Sequence, residues 1–311
     1  MGEINWTQLR EQTIGRIELR ALPPTIKLPA LPHAVTEFID QSQKPEIGLK
    51  ELSTIIETDT GITTELLRYV NSTYFGLRNK ARNVLQALTM LGQKQSRMFV
   101  ITTGMQAAIQ SRQSKLLHQG CFWNSSLQKA IFAGEVAGLL GADRDLAFSA
   151  GLMQDFLLPV LTNDLYDFYA AFAAEREKMV PMLTTYEQET YGWNHAIAAA
   201  ALAANWKLPD DLICCILLHH SGLKLHNHPF LGKTAAFAVA TSGLLPDQLR
   251  QVYNGLEQLL ELEKLWPEFH LQELVETVDR KHAEIGLGVQ NDFPLSRRCR
   301  SVLPEFAETS G

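Results

Sequence analysis

The apolar residues of this 311-residue chain recur at steps of three and four nearly everywhere, and this spacing restricts the possible folds more than any other feature. Side chains three and four residues apart lie on one face of an α-helix. Residues 249–260 and 271–285 show the pattern most clearly, and no stretch alternates apolar and polar residues long enough to require a strand. The spacing therefore predicts an all-α protein in which each helix buries one stripe of side chains.

The composition excludes some functions and some locations. Hydrophobic residues make up 46% of the chain and charged residues 20%, as in ordinary globular proteins. The net charge of −6 argues against nucleic-acid binding, which needs a basic surface. No apolar run reaches the roughly 18–20 residues of a membrane helix, and the N-terminus lacks the basic start and apolar core of a signal peptide. We therefore expect no membrane association and a cytoplasmic location.

Prolines and polar stretches divide the chain into four predicted segments. A pair of prolines ends the first segment, because proline removes a backbone donor and restricts its neighbour. A polar stretch at residues 111–119 separates two helical lobes. The last segment holds two amphipathic helices that either pack on their own bundle or present a groove or dimer surface, so oligomerisation stays open. The segments are a lead-in helix (1–22), an N-terminal lobe (23–112), a second lobe (113–245) and a C-terminal extension (246–311).

Two local features of the N-terminal lobe carry specific expectations. Thr63 or Thr64 is predicted to cap the helix that contains Leu66, because threonine hydroxyls accept hydrogen bonds from free backbone N–H groups at helix starts. Gly92 is expected to break the helical pattern that runs from Val84 to Gln110, since glycine is a poor helix former.

Several motifs together resemble the HDOD family over roughly residues 22–222. The double Leu-Pro opening combined with an Asn-Ser turn is the most specific part, whereas each remaining motif is weak alone. The motifs are Leu28-Pro29-x-Leu31-Pro32, Ile55-Ile56-x-x-Asp59, Leu66-Leu67-Arg68-x-x-Asn71-Ser72, Ala87-x-x-x-Leu91-Gly92, Phe122-Trp123, Ala147-Phe148-x-Ala150-Gly151-Leu152, Trp206-x-Leu208-Pro209 and His219-His220.

This resemblance implies both a fold and a role. HDOD proteins look like relatives of the HD superfamily of metal-dependent phosphohydrolases. The resemblance implies an HD-like helical bundle preceded by a family-specific N-terminal helical lobe. It also implies a signalling or regulatory role in bacteria, and members of the family commonly lack the full set of catalytic metal ligands.

The metal ligands of an HD hydrolase are largely replaced in this chain. Such enzymes use a histidine, a His-Asp doublet and a later aspartate to hold divalent ions, which lower the pKa of bound water. By resemblance, the first histidine falls at Ser125, the doublet at Gln154-Asp155 and the final aspartate near Thr241. Three of the four positions therefore lack an imidazole or carboxylate donor.

The remnant of the ligand set leaves two interpretations open. Asp155, His195, His219 and His220 remain, and adjacent helical residues point about 100° apart, so we expect only one of the last two to face a shared cleft. Asp155, His195 and His219 would suffice for a facial triad. Alternatively, the histidines are satisfied within the core and Asp155 bonds to backbone donors or to a histidine, because an unpaired buried charge is costly.

These observations favour a non-catalytic regulatory module without a cofactor. Such a module would bind other signalling proteins, and a nucleotide messenger such as a cyclic dinucleotide is a further candidate ligand. The apolar run Phe156-Leu157-Leu158-Pro159 after the degenerate doublet indicates a pocket filled by packing. The alternatives are a phosphohydrolase that uses the residual Asp/His site on nucleotides or cyclic dinucleotides, and a sensor that binds a nucleotide in the old cleft without cleaving it.

Overall fold

A computed structural model of the chain describes residues 4–14, 22–44, 46–72, 80–110, 112–175, 182–285 and 291–303. All regular secondary structure within these ranges is helical, which confirms the predicted all-α class. A short 3-10 turn covers Gly222–Leu225. The α-helices are α1 (Trp6–Ile14), α2 (His33–Ser42), α3 (Leu49–Glu57), α4 (Thr60–Val70), α5 (Val84–Gln110), α6 (Gln119–Leu140), α7 (Arg144–Met153), α8 (Leu158–Asp164), α9 (Tyr166–Glu175), α10 (Leu183–Tyr191), α11 (His195–Asn205), α12 (Asp210–Leu218), α13 (Ala235–Ser242), α14 (Gly255–Leu265), α15 (Leu271–Ile285) and α16 (Leu295–Arg298).

The N-terminal lobe is built from α2 to α5, which bury their apolar stripes against one another. The predicted cap of α4 by Thr63 or Thr64 is wrong. The helix begins at Thr60, and the Asp59 carboxylate accepts a hydrogen bond from the backbone N–H of Ile62 at 3.0 Å. Asp59 wins because a carboxylate is at least as good a cap as threonine and stands directly before the first turn.

Gly92 interrupts α5, as predicted from the sequence. Its backbone lies at φ 74° and ψ 167°, a region that only glycine adopts readily. The first half of the helix packs within the N-terminal lobe, and the second half also contacts α7. The bend therefore lets one helix connect the two lobes.

The second lobe is organised around α6, which is enclosed by α7, α13 and α15. From Phe122 to Ala137 nearly every residue of α6 is buried, whichever way it points. Small residues allow this close packing: a Cβ added to Gly151 on α7 would lie 3.0 Å from the Ala130 backbone. The neighbouring α11 is an alanine-rich buried helix whose start is capped by the Asn194 side chain.

The remaining segments pack on this second lobe. Helix α1 contacts α12, and Arg10 Nη1 lies 2.7 Å from Asp210 Oδ1; residues 15–21 of the predicted lead-in helix fall outside the described ranges. Of the alternatives for the C-terminal extension, the structure shows α15 packed along α6 with its apolar stripe buried. Among the described residues, no helix has the length and apolar character needed to cross a membrane.

Candidate functional site

Three segments bring the predicted remnant residues into one cluster. Asp155 follows α7, His195 is the first residue of α11, and His219 and His220 follow the end of α12. One potential ligand atom from each of the four lies within 4.8 Å of the others. Asp155, His195 and His219 are buried, while His220 is half-buried. The cluster is the only group of this kind among the residues that the structure describes.

The expectation that only one of His219 and His220 faces the cluster is wrong. His219 Nε2 lies 3.3 Å from Asp155 Oδ1, and His220 Nε2 lies 2.9 Å from His195 Nε2. The two side chains do leave the backbone in different directions, but they meet different members of the cluster. Since α12 ends at Leu218, the pair also lies in the turn beyond the helix.

The three positions that lost a ligand carry out helix and core contacts instead. Ser125 Oγ donates to the backbone carbonyl of Cys121 at 2.9 Å, and Thr241 Oγ1 donates to that of Phe237 at 2.8 Å. Gln154 Oε1 accepts a hydrogen bond from Ser242 Oγ at 3.2 Å. These residues are buried and supply neither an imidazole nor a carboxylate to the cluster.

A buried lysine that the motif reasoning missed stands beside Asp155. Lys129 Nζ, from α6, lies 2.8 Å from Asp155 Oδ2 and 3.0 Å from Asp247 Oδ2, and its side chain is 2% exposed. Burial alone would lower the pKa of Lys129, but the charges of Asp155 and Asp247 outweigh it and raise that pKa. Burial would conversely raise the pKa of Asp155, and the Lys129 charge holds it well below its ordinary value. Both groups are therefore ionised at neutral pH.

Residues 246–251, here called the cover segment, close the cluster from the side of Asp247. Gln251 Nε2 donates to Asp155 Oδ1 at 3.1 Å and to Asp247 Oδ2 at 2.8 Å. The Gln248 side-chain amide bonds to both the backbone N–H and the carbonyl of His118 at 3.0 Å. The backbone carbonyl of Gln251 accepts a hydrogen bond from the N–H of Leu183 at 3.0 Å. The segment is thus tied to three other parts of the chain.

A second buried acid, Glu187 on α10, orients and charges His195. Glu187 Oε2 accepts from the backbone N–H of His195 at 2.9 Å and lies 2.7 Å from its Nδ1, while Tyr169 donates its hydroxyl to Oε1 at 2.6 Å. Burial alone would lower the pKa of His195, but Glu187 and Asp155 together raise it to about 9. His195 is therefore an imidazolium at neutral pH, with both ring nitrogens protonated.

The residues of the cluster do not fit the divalent metal that an HD-type site holds. The Lys129 ammonium already neutralises Asp155, and an imidazolium at His195 has no lone pair to donate. His219 alone keeps a buried ring nitrogen, Nε2, without a hydrogen bond, since its Nδ1 lies 2.6 Å from the Ile216 carbonyl. A metal would have to displace one cation and deprotonate another, so the arrangement works as a closed ion-pair network.

Comparison with known proteins places this architecture in a family. The HDOD domain matches residues 28–222. An uncharacterized protein of Treponema pallidum (strain Nichols) is 26% identical over 199 residues. That match covers 62% of this chain but only 38% of the relative, so the chain spans well under half of the longer protein.

Solved structures show the same fold. A protein of Shewanella amazonensis SB2B, provisionally named a phosphohydrolase, is 22% identical with a TM-score of 0.65 and covers 85% of this chain and 95% of its own. An HDOD domain protein of unknown function from Geobacter sulfurreducens is 17% identical with a TM-score of 0.62, covering 92% and 97%. A protein of Marinobacter aquaeolei VT8, provisionally named a signal transduction protein, is 18% identical with a TM-score of 0.58, covering 92% and 66%. The motifs and the family match agree, and the chain therefore belongs to the HDOD domain family.

Proposed function

We propose that this protein is a non-catalytic regulatory module of bacterial signal transduction, which works by binding other signalling proteins in the cytoplasm. One observation carries the proposal: the ammonium group of Lys129 lies between Asp155 and Asp247, where a hydrolytic site needs a divalent cation. The fold of a hydrolase family is retained, and the electrostatics of its metal site are those of a structural ion pair. The signal-transduction name of the Marinobacter aquaeolei structure supports the role.

Closure of the cluster further supports a role without turnover. The cleft beside Asp155 and Ser125 holds about 260 Å³, part of it open to solvent, and Asp247 and Gln251 of the cover segment line it. Ligand sites of ordinary size are about 300–1,000 Å³. A nucleotide in this cleft would have to expel the cover segment, so binding of a nucleotide messenger here is the weaker form of the proposal.

A phosphohydrolase remains the second candidate because Asp155, His195, His219 and His220 converge within 4.8 Å. It requires a metal ion that these residues hold only after Lys129 and His195 give up their present contacts. The provisional phosphohydrolase name of the Shewanella amazonensis structure is the other support.

One set of assays separates the two candidates. The purified full-length chain is incubated with Mn²⁺, Mg²⁺ or Zn²⁺ and with bis-p-nitrophenyl phosphate, cyclic di-GMP and mononucleotides, and bound metal is measured by elemental analysis. We expect no turnover above that of an Asp155→Ala variant, and less than one tightly bound transition metal per chain. Metal-dependent hydrolysis that is lost in Asp155→Ala would overturn the regulatory proposal.

The binding role is tested separately by affinity capture from the native host. The wild-type chain is expected to retain a signalling protein at defined stoichiometry, and the complex should persist in Asp155→Asn if catalysis is irrelevant. Capture of nucleic acid instead would contradict the expectation drawn from the net charge of −6.

A further inference from the structure

A second cavity lies well apart from the ion-pair cluster, where the two lobes meet. It encloses about 880 Å³, part of which is open to solvent, and this volume is in the range of ligand pockets. Five helices contribute to its wall: α4 and the second half of α5 from the N-terminal lobe, α6 and α7 from the second lobe, and α15 from the C-terminal extension. A molecule bound there would touch every major part of the fold.

Aromatic and apolar side chains form much of this wall. The rings of Tyr69 and Phe99 are stacked, with centroids 4.8 Å apart and planes 20° from parallel. Phe148 is half-buried on the facing helix α7, and Ile131 and Leu152 are buried beside it. A flat ring gains most from such surroundings, because offset stacking adds to the burial of apolar area.

Three polar side chains on the same wall have unused hydrogen-bonding capacity. Thr103, Gln106 and Ser149 line the cavity, and their side chains make no hydrogen bond to another residue that the structure describes. Ser149 is only 6% exposed, so it has little access to bulk solvent. Buried polar groups are rarely left without a partner, and each such group favours a ligand that supplies one.

The charged side chains around the cavity are already balanced. Glu135 Oε1 lies 2.7 Å from Arg144 Nη2 and 2.6 Å from Lys281 Nζ, and Asp145 accepts a hydrogen bond from Gln95 at 2.9 Å. Two acids thus face two bases. The wall therefore has no excess charge to compensate a phosphate with two negative charges.

We propose that this interlobe cavity is a binding site for an uncharged planar heterocycle that carries hydrogen-bond donors and acceptors. The ring stacks against the Phe99 and Phe148 side of the wall, and its polar edge pairs with Thr103, Gln106 and Ser149. This site is independent of the ion-pair cluster, so the proposal stands whether or not the chain hydrolyses phosphoesters.

The test uses saturation-transfer NMR and calorimetry on the full chain with three neutral probes: indole, isoquinoline and adenosine. At least one should bind, and adenosine 5′-monophosphate should bind at least tenfold more weakly than adenosine. Thr103→Phe fills the cavity and should weaken binding at least tenfold, whereas Gln110→Phe, at an exposed position on the same helix, should leave it unchanged.

A second variant guards against misfolding of the first. Gln106→Met keeps the length of the side chain and removes its amide, and should weaken binding about twofold to tenfold, the value of one hydrogen bond. Circular dichroism verifies the fold of each variant. Absence of binding by all three probes at millimolar concentration, equal binding to Thr103→Phe and wild type, or tighter binding of the monophosphate than of adenosine would each overturn the proposal.

Discussion

Replacing Lys129 by methionine should destabilise the protein severely, because methionine keeps the length of the side chain and removes its charge. The lysine side chain is 2% exposed and its partners Asp155 and Asp247 are 6% and 10% exposed, so solvent cannot replace the lost cation. Removing one partner of a buried ion pair typically costs about 3–5 kcal/mol. We expect the free energy of unfolding to fall by an amount in this range.

The assay is urea unfolding at pH 7, followed by circular dichroism, with a matched exposed pair as the control. Lys207 Nζ lies 3.1 Å from Asp40 Oδ1, but these side chains are 69% and 46% exposed. Exposed pairs contribute about 0–1 kcal/mol, so Lys207→Met should be nearly neutral. Adding Asp247→Asn to Lys129→Met should recover part of the loss, since it removes one of the two uncompensated carboxylates.

The pH dependence of this variant gives an independent signature. Without Lys129, burial raises the pKa of the remaining carboxylates in the folded state above their unfolded values. Protonation then stabilises the folded variant as the pH falls, so its deficit relative to the wild type should shrink between pH 7 and pH 5. If Lys129→Met costs no more than Lys207→Met, or if the deficit does not change with pH, the assignment of Lys129 as the buried counter-ion is refuted.

Three further outcomes follow from the same site. His195 has a folded-state pKa of about 9 against an ordinary 6.5, so its contribution of up to about 3 kcal/mol is complete below pH 6.5 and is lost as the pH rises through 9; unfolding at pH 6, 7.5 and 9 should show this loss, and Glu187→Gln should reduce it. Gly243→Ala should lower stability by at least about 2 kcal/mol in urea unfolding, because its Cβ would lie 2.3 Å from the backbone oxygen of His219; wild-type stability in this variant would mean that the two segments are not packed so closely. The wild-type melting temperature should be unaffected by EDTA, whereas Lys129→Met should be stabilised by added Mn²⁺ or Zn²⁺ because two carboxylates then lack a cation; a chelator-sensitive wild type would contradict the ion-pair network.

The sequence was sufficient for the helices and for part of the site. Helical spacing predicted the all-α class, and the motifs identified Asp155, His195 and the histidine pair, which the structure brings together. These residues were accessible because each stands next to a recognisable element boundary, such as the start of α11 or the end of α12. Local signals of that kind depend only on residues close in the sequence.

The charges that decide the chemistry of the site were not recognised from sequence. Asp247 and Gln251 lie in a segment without periodicity, about 90 residues after Asp155, and Glu187 stands in a helix with other exposed acids. Lys129 did leave a signal. It stands within a helix whose neighbours are almost all apolar or small, and a lysine buried there must have an acidic partner. Only the packing of α6 against α7 shows that this partner is Asp155.

The covalent attachment of Lys129 has a consequence for how the protein is made and maintained. A metal ion must be delivered, can be exchanged for a competing ion and can be lost, whereas the ammonium is synthesised with the chain at one per molecule. The two acids it joins, Asp155 and Asp247, therefore meet their counter-charge as soon as α6 packs. Maturation of this site needs no delivery system, and its occupancy is the same whether the cell is rich or poor in trace elements.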